Sequence, residues 1–221
     1  MKKALNVTLI LLLGLFMFSC EGETATETTE SEDTATSEEM GASGSYTLAE
    51  SESMLAWEGN MLKVGGVSLY GHNGTIDFQK GMMTLEDGKI VDGTFVVDMS
   101  TITPTDDAYK PEEGKTQEKL VGHLSSPDFF AIDSFPTATF QVTGMEEGKI
   151  MGDMTIRGVT NPETIENVTM ETMDGKVKAT GSMTVDRQKY NVAWSNPAED
   201  KVLSDDLELE FTIVASADEV M

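Results

Sequence analysis

Cysteine and histidine are both scarce in this sequence. Its 221 residues include one cysteine, Cys20, and two histidines, His72 and His123. A single cysteine excludes an intrachain disulfide and any zinc site built on several thiolates. The motifs of serine hydrolases, zinc proteases, EF-hands, phosphate-binding loops and dinucleotide-binding folds are also absent. We therefore expect neither an enzyme nor a protein that holds a metal ion or a cofactor.

Basic residues are the second deficit. The chain has 15 lysines and arginines against 39 aspartates and glutamates, which gives a net charge of -24. Nucleic-acid binding needs a basic surface, and anionic lipid headgroups attract basic segments. The composition therefore excludes nucleic acid as a partner. Any contact with lipid should come through an apolar cavity or through a covalent anchor.

No apolar run of the sequence is long enough to span a bilayer comfortably. Residues 9–18 form a short apolar run that follows Lys2 and Lys3 and ends at Ser19 and Cys20. A run of this length suits the core of an export signal. Bacterial lipoprotein signals place the acylated cysteine directly after such a run. The sequence predicts a lipoprotein signal peptide over residues 1–19 and acylation of Cys20 with chains such as palmitate; an ordinary secretory signal with an incidental cysteine is the alternative.

The segment after Cys20 has almost no apolar residues. Residues 21–45 contain eight acids, no bases and no aromatic residue, with Met40 as the only large apolar side chain. Such a segment repels itself and cannot form a core. We expect residues 20–45 to be a disordered acidic tether that holds a domain away from a membrane, in the cell envelope and facing the periplasm or the cell surface. Whether the acids direct the protein to the surface or only act as a spacer is left open.

The remainder, residues 46–217, has the pattern of an all-β domain. Phe95, Val97 and Met99 alternate with polar or small residues, and so do Leu207, Leu209, Phe211 and Ile213. Alternation of this kind indicates half-buried strands. The pairs Asp87-Gly88, Glu147-Gly148 and Asp174-Gly175 predict tight hairpin turns, and Lys80-Gly81 is interpreted as another turn. About eight antiparallel strands, closed into a barrel or stacked as a sandwich, would follow.

One helix interrupts this pattern. Leu120, Val121 and Leu124 lie at helical spacing within an otherwise polar segment. We expect a single short helix that covers one end of the barrel, either as a gate or as a structural plug. A barrel of eight strands is wide enough to be filled by its side chains or to hold one small ligand.

An ordered set of motifs resembles the YceI-like family of bacterial envelope proteins. The string GDMTIRGVT, residues 152–160, follows HLSSPDFF and SFPTATF and precedes the Val-Asp-Arg of residues 185–187. The resemblance extends from about Tyr46 to Ala215. It implies an antiparallel lipocalin-like β-barrel that holds an isoprenoid or another long-chain lipid.

The inward face of such a barrel can be selected by alternation. This selection is a prediction of facing, and core packing alone would choose nearly the same residues. The apolar candidates for contact with a lipid are Trp57, Phe78, Phe95, Val97, Phe130, Phe140, Val142, Met183, Trp194 and Phe211.

Three polar residues are candidates for the interior or the rim of the barrel. His72 and His123 lie near positions at which the family also has histidine, and Arg187 matches its Asp-Arg pair. Each could contact a lipid headgroup, and the histidines could form a weak metal site. The competing interpretation, which we favour, is structural: hydrogen-bonded histidines and an arginine that fixes a turn.

Three hypotheses follow for the function. The first is an envelope lipoprotein that binds a long-chain apolar lipid, isoprenoid-like or fatty-acid-like, for sequestration or transport. The second is a structural or interaction domain of the envelope whose barrel is filled and has no ligand. The third, an enzyme acting on a bound lipid, is disfavoured by the shortage of bases and nucleophiles. Pairing of two barrels as a homodimer is left open.

Overall fold

The computed structural model describes residues 42–63, 65–194 and 201–218. The predicted signal peptide, Cys20 and most of the predicted tether lie outside the described residues, so these interpretations stay predictions. In the described ranges, no helix is long and apolar enough to cross a membrane.

Eleven strands and one α-helix make up the described domain. The helix, α1, runs over Gln117–Ser125, and single-turn 3-10 helices occur at Glu50–Glu52, Met99–Thr101, Pro111–Glu113 and Arg187–Tyr190. The strands are β1 (Gly44–Leu48), β2 (Met54–Lys63), β3 (Val67–Ile76), β4 (Phe78–Glu86), β5 (Lys89–Asp98), β6 (Thr103–Pro104), β7 (Thr137–Glu146), β8 (Lys149–Ile156), β9 (Val159–Met173), β10 (Lys176–Asp186) and β11 (Lys201–Ala217).

Eight of these strands close into an antiparallel barrel. Hydrogen bonding runs in the order β1-β4-β5-β7-β8-β9-β10-β11, and β11 returns to β1 through pairs such as Tyr46 with Ala217. The predicted all-β antiparallel barrel of about eight strands, with one short helix, is confirmed. The strands β2, β3 and β6 extend this ring on the far side of β11, since β11 pairs with β2, β2 with β3, and β3 with β6.

A bend between β1 and β2 allows both strands to pair with β11. The bend holds the 3-10 turn Glu50–Glu52, and it is fixed by Ser53, which is buried. The single O–H of Ser53 lies within hydrogen-bond distance of the carbonyl oxygens of Ala49 (2.9 Å) and Val214 (3.2 Å), and the hydroxyl oxygen accepts from the Val214 amide (2.9 Å). One side chain thus provides hydrogen bonds where the backbone ladder is interrupted.

The hairpin turns predicted from sequence are confirmed at three places. Asp87 and Gly88, Glu147 and Gly148, and Asp174 and Gly175 all have positive φ and each pair connects two consecutive strands. Two-residue turns with positive φ at both positions match the right-handed twist of the strands that they join.

The turn predicted at Lys80-Gly81 is wrong. These residues lie inside β4, which runs from Phe78 to Glu86 and pairs with β1 on one side and β5 on the other. The register shifts by one residue between Phe78 and Lys80, which indicates a β-bulge, and Gly81 pairs with Phe95. The glycine therefore serves packing, as described below, and does not reverse the chain.

The helix predicted from Leu120, Val121 and Leu124 is confirmed as α1. Its N-cap is Thr116, whose hydroxyl accepts a hydrogen bond from the Lys119 amide. Leu120 and Leu124 face the interior of the barrel, and Leu124 is buried there. The helix lies against the space that the strands enclose.

Candidate functional site

A cavity of about 460 Å³ lies inside the barrel. Nearly all of its lining is apolar, from strands around the whole ring and from α1. The lining includes all ten apolar candidates selected by alternation, namely Trp57, Phe78, Phe95, Val97, Phe130, Phe140, Val142, Met183, Trp194 and Phe211. His72, His123 and Arg187 line it as well. The structure thus brings all thirteen residues to one space; their contact with a ligand stays a prediction.

Many lining residues were missing from the sequence-based selection. They include Leu55, Met61, Tyr70, Met83, Ile90, Phe129, Met154, Ile156, Ile165, Leu203, Leu207, Leu209 and Ile213. Several carry the same signal as the chosen residues, because Leu209 and Ile213 lie two positions from Phe211 on one face of β11. Tyr70 lies two positions before His72 in β3 and carries the same signal, whereas Leu203 lies beyond an irregularity in the register of β11. Tyr70 is 44% exposed although it lines the cavity, which places an opening at this end.

Glycines on neighbouring strands make room for the aromatic rings of the cavity wall. A Cβ atom at Gly81 would lie 2.7 Å from Cδ1 of Phe95, and one at Gly181 would lie 2.5 Å from Cζ of Phe211. The same relation joins Gly74 to Trp57, and Gly152 to Phe140. Real Cβ atoms do not come so close to other atoms, so these rings occupy the space that a larger residue would need. Large side chains can therefore lie along the wall and leave the lumen open.

His72 belongs to a polar cluster at the open end of the cavity. Its Nδ1 lies 3.1 Å from Oδ1 of Asp106, and its ring stacks on that of Tyr109 with centroids 5.3 Å apart. Tyr109 donates from its hydroxyl to Oδ2 of Asp106 (3.2 Å). Burial, the Asp106 charge and this hydrogen bond, in that order of importance, raise the pKa of Tyr109 to about 12. The cluster fixes the orientation of His72 in the cavity wall.

Asp106 is the centre of this cluster, and its ionised form is favoured. Burial alone would raise the pKa of Asp106. Hydrogen bonds from the amides of Ala108 and Asn73 and from His72 outweigh burial and bring the pKa below its usual value. Sequence reasoning did not select Asp106, because an aspartate in a polar loop carries no signal of a partner in a distant strand.

His123 lies in an aromatic environment. Its ring meets those of Trp194 and Phe129 edge to face, with centroids 4.8 Å and 5.5 Å away. Burial lowers the pKa of His123, and the nearby Asp128 charge opposes this only in part. His123 is therefore neutral at physiological pH.

The hydrogen-bond donors of Arg187 are engaged by other groups of the protein. Its side chain is buried, at 5% exposure. The guanidinium donates to the backbone carbonyls of Val192, Ser204 and Leu203 and to the carboxylate of Asp205. The structural interpretation of this residue is consistent with these contacts, since the guanidinium connects the loop after β10 to the start of β11.

The described residues contain no group of three His, Cys, Asp or Glu side chains placed to hold a metal ion. His72 and His123 line the same cavity, but their close neighbours differ. The arrangement offers an apolar chamber with a few polar atoms, and this is suited to enclosing an apolar molecule.

Substitution Gly181→Ala should shrink the cavity. The new methyl group would overlap the Phe211 ring and lie 2.8 Å from Cγ2 of Ile165, so the ring must turn toward the lumen. We expect a loss of about 1–3 kcal/mol in unfolding free energy and weaker binding of the neutral apolar probe phenylnaphthylamine, measured by urea titration and by probe fluorescence. Gly59→Ala is the matched control, because its Cβ would meet only Leu207, at 4.0 Å. Equal probe binding by both variants would contradict this account of the wall.

Substitution Asp106→Asn should give a stability difference that depends on pH. Because the pKa of Asp106 in the fold is below the ordinary value of an aspartate, ionisation of this group stabilises the fold at higher pH. The contribution is lost as pH falls through the folded-state pKa. We expect the variant to be less stable by about 1–3 kcal/mol near neutral pH, with the gap closing between about pH 5 and pH 2. Urea titrations across this range would measure it, and a gap that widens in acid would refute the assignment.

Comparison with known proteins shows where this chain belongs. Residues 46–215 match the family described as YceI-like domain. UPF0312 protein SAUSA300_2620 of Staphylococcus aureus is 34% identical over 109 residues, which are 46% of this chain and 63% of that protein. The chain thus spans only 63% of the length of that curated relative.

Two solved structures align with most of the chain. Burkholderia cenocepacia BcnA aligns with a TM-score of 0.57 and 17% identity over 76% of this chain and 99% of that one, which indicates a shared fold. A polyisoprenoid binding domain from Saccharophagus degradans aligns with a TM-score of 0.49 and 11% identity over 78% and 98% of the two chains. Since the family match covers most of the 221 residues, this protein belongs to the YceI-like family.

Proposed function

We propose that this protein binds a long-chain apolar lipid, isoprenoid-like or fatty-acid-like, inside its β-barrel. The observation that carries the proposal is the cavity of about 460 Å³ with an apolar wall. Ligand cavities in proteins have volumes of about 300–1,000 Å³ and apolar linings with a few polar groups. Membership of the YceI-like family supports the same conclusion.

The alternative, a filled barrel with a scaffolding role, fits the interior less well. A core packed at ordinary density leaves few voids larger than a water molecule. Here four aromatic residues lie against glycines on the wall, and their rings leave open a single space whose lining includes both Ile90 and Tyr70. A barrel built only for support would gain stability if larger side chains filled this space.

We place the protein among binding proteins and not among enzymes. The cavity has two histidines, and neither is paired with a nucleophile: His72 is held by Asp106, and His123 is held among aromatic rings. A base without a neighbouring nucleophile or substrate-polarising group is a weak basis for catalysis.

Anchoring in the cell envelope is part of the same proposal. The chain's own lysines and arginines are too few for docking on anionic lipid headgroups. Acyl chains on Cys20 would supply membrane attachment, because two or more chains make it stable. The acidic segment between Cys20 and Tyr46 would give the barrel freedom to take up or release a lipid near the membrane.

Organic-solvent extraction of the purified protein tests the binding function. The full-length chain carrying Cys20→Ser would be exported without an anchor and extracted after purification from detergent-free solution. We expect mass spectrometry of the extract to find a long-chain apolar species near one molecule per barrel. An empty extract, together with no binding of added isoprenoids, would favour the filled-barrel alternative.

The same substitution tests anchoring. Cells that make the unchanged protein should carry it in the membrane fraction and label it with radioactive palmitate. Cys20→Ser should move the protein to the soluble envelope fraction and abolish labelling. Ser19→Thr, which keeps the cysteine, is the control for disturbance of the signal. Membrane retention of the unlabelled Cys20→Ser protein would argue against the lipoprotein assignment.

A further inference from the structure

Exposed apolar side chains gather where the β2–β3 hairpin meets the start of β11. Half of the large apolar residues that are exposed in the described part of the chain lie here, and we call them the apolar tip: Val67, Leu69, Tyr70 and Val202. Val202 pairs with Leu62 of β2, and Leu62 pairs with Ser68, which lies between Val67 and Leu69. Neighbouring strands are about 4.8 Å apart, so these residues form one patch.

The apolar tip is uncovered on both faces of the sheet. Residues 67–70 of β3 are all exposed, and Val67 is 63% exposed. Successive side chains of a strand point to opposite faces, so neither face of β3 is covered by the barrel at this point. A single exposed apolar residue needs no explanation, but a contiguous group indicates contact with a partner or a membrane.

The charge around the apolar tip favours a membrane. Residues 59–76 contain no aspartate or glutamate and one charged residue, Lys63, although the chain as a whole has 39 acids. This is the longest acid-free stretch between Tyr46 and Ala217. Carboxylates are costly to bring into a bilayer and are repelled by anionic headgroups. The hairpin can enter the interfacial layer without carrying a carboxylate of its own, and tyrosine is favoured at that depth.

The apolar tip also adjoins the opening of the cavity. Tyr70 belongs to the tip and lines the cavity, and so do its neighbours across the sheet, Met61 and Leu203. A long-chain lipid that moves between a bilayer and the barrel exposes its chain to water unless the opening touches the bilayer. Contact at the tip would remove that exposure.

The predicted anchor at Cys20 allows this contact. Strand β1 lies beside the end of β11, since Tyr46 pairs with Ala217, whereas Val202 lies at the start of β11. The 17 residues of β11 measure about 55 Å at 3.3 Å per residue. The 21 residues between Cys20 and Ala42 can span up to about 70 Å. The chain is therefore long enough for anchor and tip to reach one membrane.

We propose that the apolar tip inserts into the interfacial layer of a lipid bilayer and holds the cavity opening at the membrane surface. A second copy of this chain is the competing occupant, because β6 pairs with β3 only at Gly74 and Thr75 and leaves the edge beyond them open. Strand pairing along that edge would not cover Val202, since β2 separates β11 from β3. The inference rests on the proposed function for the anchor and for the use of the opening.

Binding to vesicles tests the inference. The chain from residue 20 onward, carrying Cys20→Ser, has neither the predicted signal nor an acyl group, and it would be sedimented with phosphatidylcholine vesicles. We expect binding that persists at high salt, because the contact is apolar. Val67→Ser combined with Leu69→Ser should weaken vesicle binding by roughly tenfold. It should leave the binding of phenylnaphthylamine unchanged, since neither residue lines the cavity.

Met82→Ser combined with Met173→Ser is the matched control. Both methionines are exposed, but they lie near the other end of β11. Met82 pairs with Thr47 of β1, and Met173 pairs with Lys176, which pairs with Ser216. This pair of substitutions should leave vesicle binding unchanged. An equal loss of binding in both double variants would overturn the inference.

A fluorescent label locates the contact independently of stability. Because Cys20 is the only cysteine, the Cys20→Ser chain with Ser68→Cys has one thiol, which would carry a nitrobenzoxadiazole label. Vesicles should shift its emission to shorter wavelength and leave the emission of the same label at Met173→Cys unchanged. A shift at both positions, or at neither, would count against insertion of the tip.

The remaining outcomes separate this inference from the proposed function. Absence of vesicle binding, with a lipid in the solvent extract, would overturn the inference alone. A dimer in solution that Val67→Ser with Leu69→Ser converts to a monomer would assign the tip to a second copy and would also overturn it. Vesicle binding that depends on Val67 and Leu69, with an empty extract, would support the inference and overturn the proposed lipid binding.

Discussion

The structure depends on the pairing of β11 with two successive strands. The 17 residues of β11 bond to β10 along one edge and to β2 and then β1 along the other. The bend between β1 and β2 makes this possible, and the buried Ser53 hydroxyl completes it with bonds to Ala49 and Val214. Closure removes the free edges that an open sheet would expose. It also encloses a lumen, which side chains could fill or leave open.

A closed ring of eight strands does not by itself give a hollow barrel, because side chains can fill one of this size. This barrel can be hollow because large aromatic residues of its wall pair across strands with glycines, which have no side chain. Phe95 lies over Gly81 and Phe211 over Gly181, so each ring covers two strands. The wall is then thin and continuous, and the volume that two medium side chains would have filled remains open. The apolar surface inside the cavity can be buried only if a ligand binds there or if the wall collapses inward.

How much of this could be predicted from the sequence depends on the range of the interaction. The pairs Asp87-Gly88 and Asp174-Gly175 predict turns from adjacent residues alone, and alternation along β11 predicts which side chains face inward. The barrel and ten wall residues could therefore be predicted. Gly81 was interpreted as a turn because a glycine after a lysine has the same local pattern in either role; only its pairing with Phe95, 14 positions later, distinguishes them. The bonds of Asp106 to His72 and Asn73 were unpredictable for the same reason.

The motifs that reveal the family concern the fold more than the ligand. Arg157, from the GDMTIRGVT string, donates to the carbonyls of Pro127, Phe129 and Asn191. Arg187, from the Val-Asp-Arg string, does the same for Val192, Leu203 and Ser204. Both hold irregular segments whose carbonyls have no ladder partner, and a guanidinium with five N–H donors suits that task. Such arginines can be retained while other residues of the cavity wall differ, because their guanidinium groups bind backbone carbonyls and not wall side chains. Family membership therefore identifies a barrel, and it does not by itself identify a ligand.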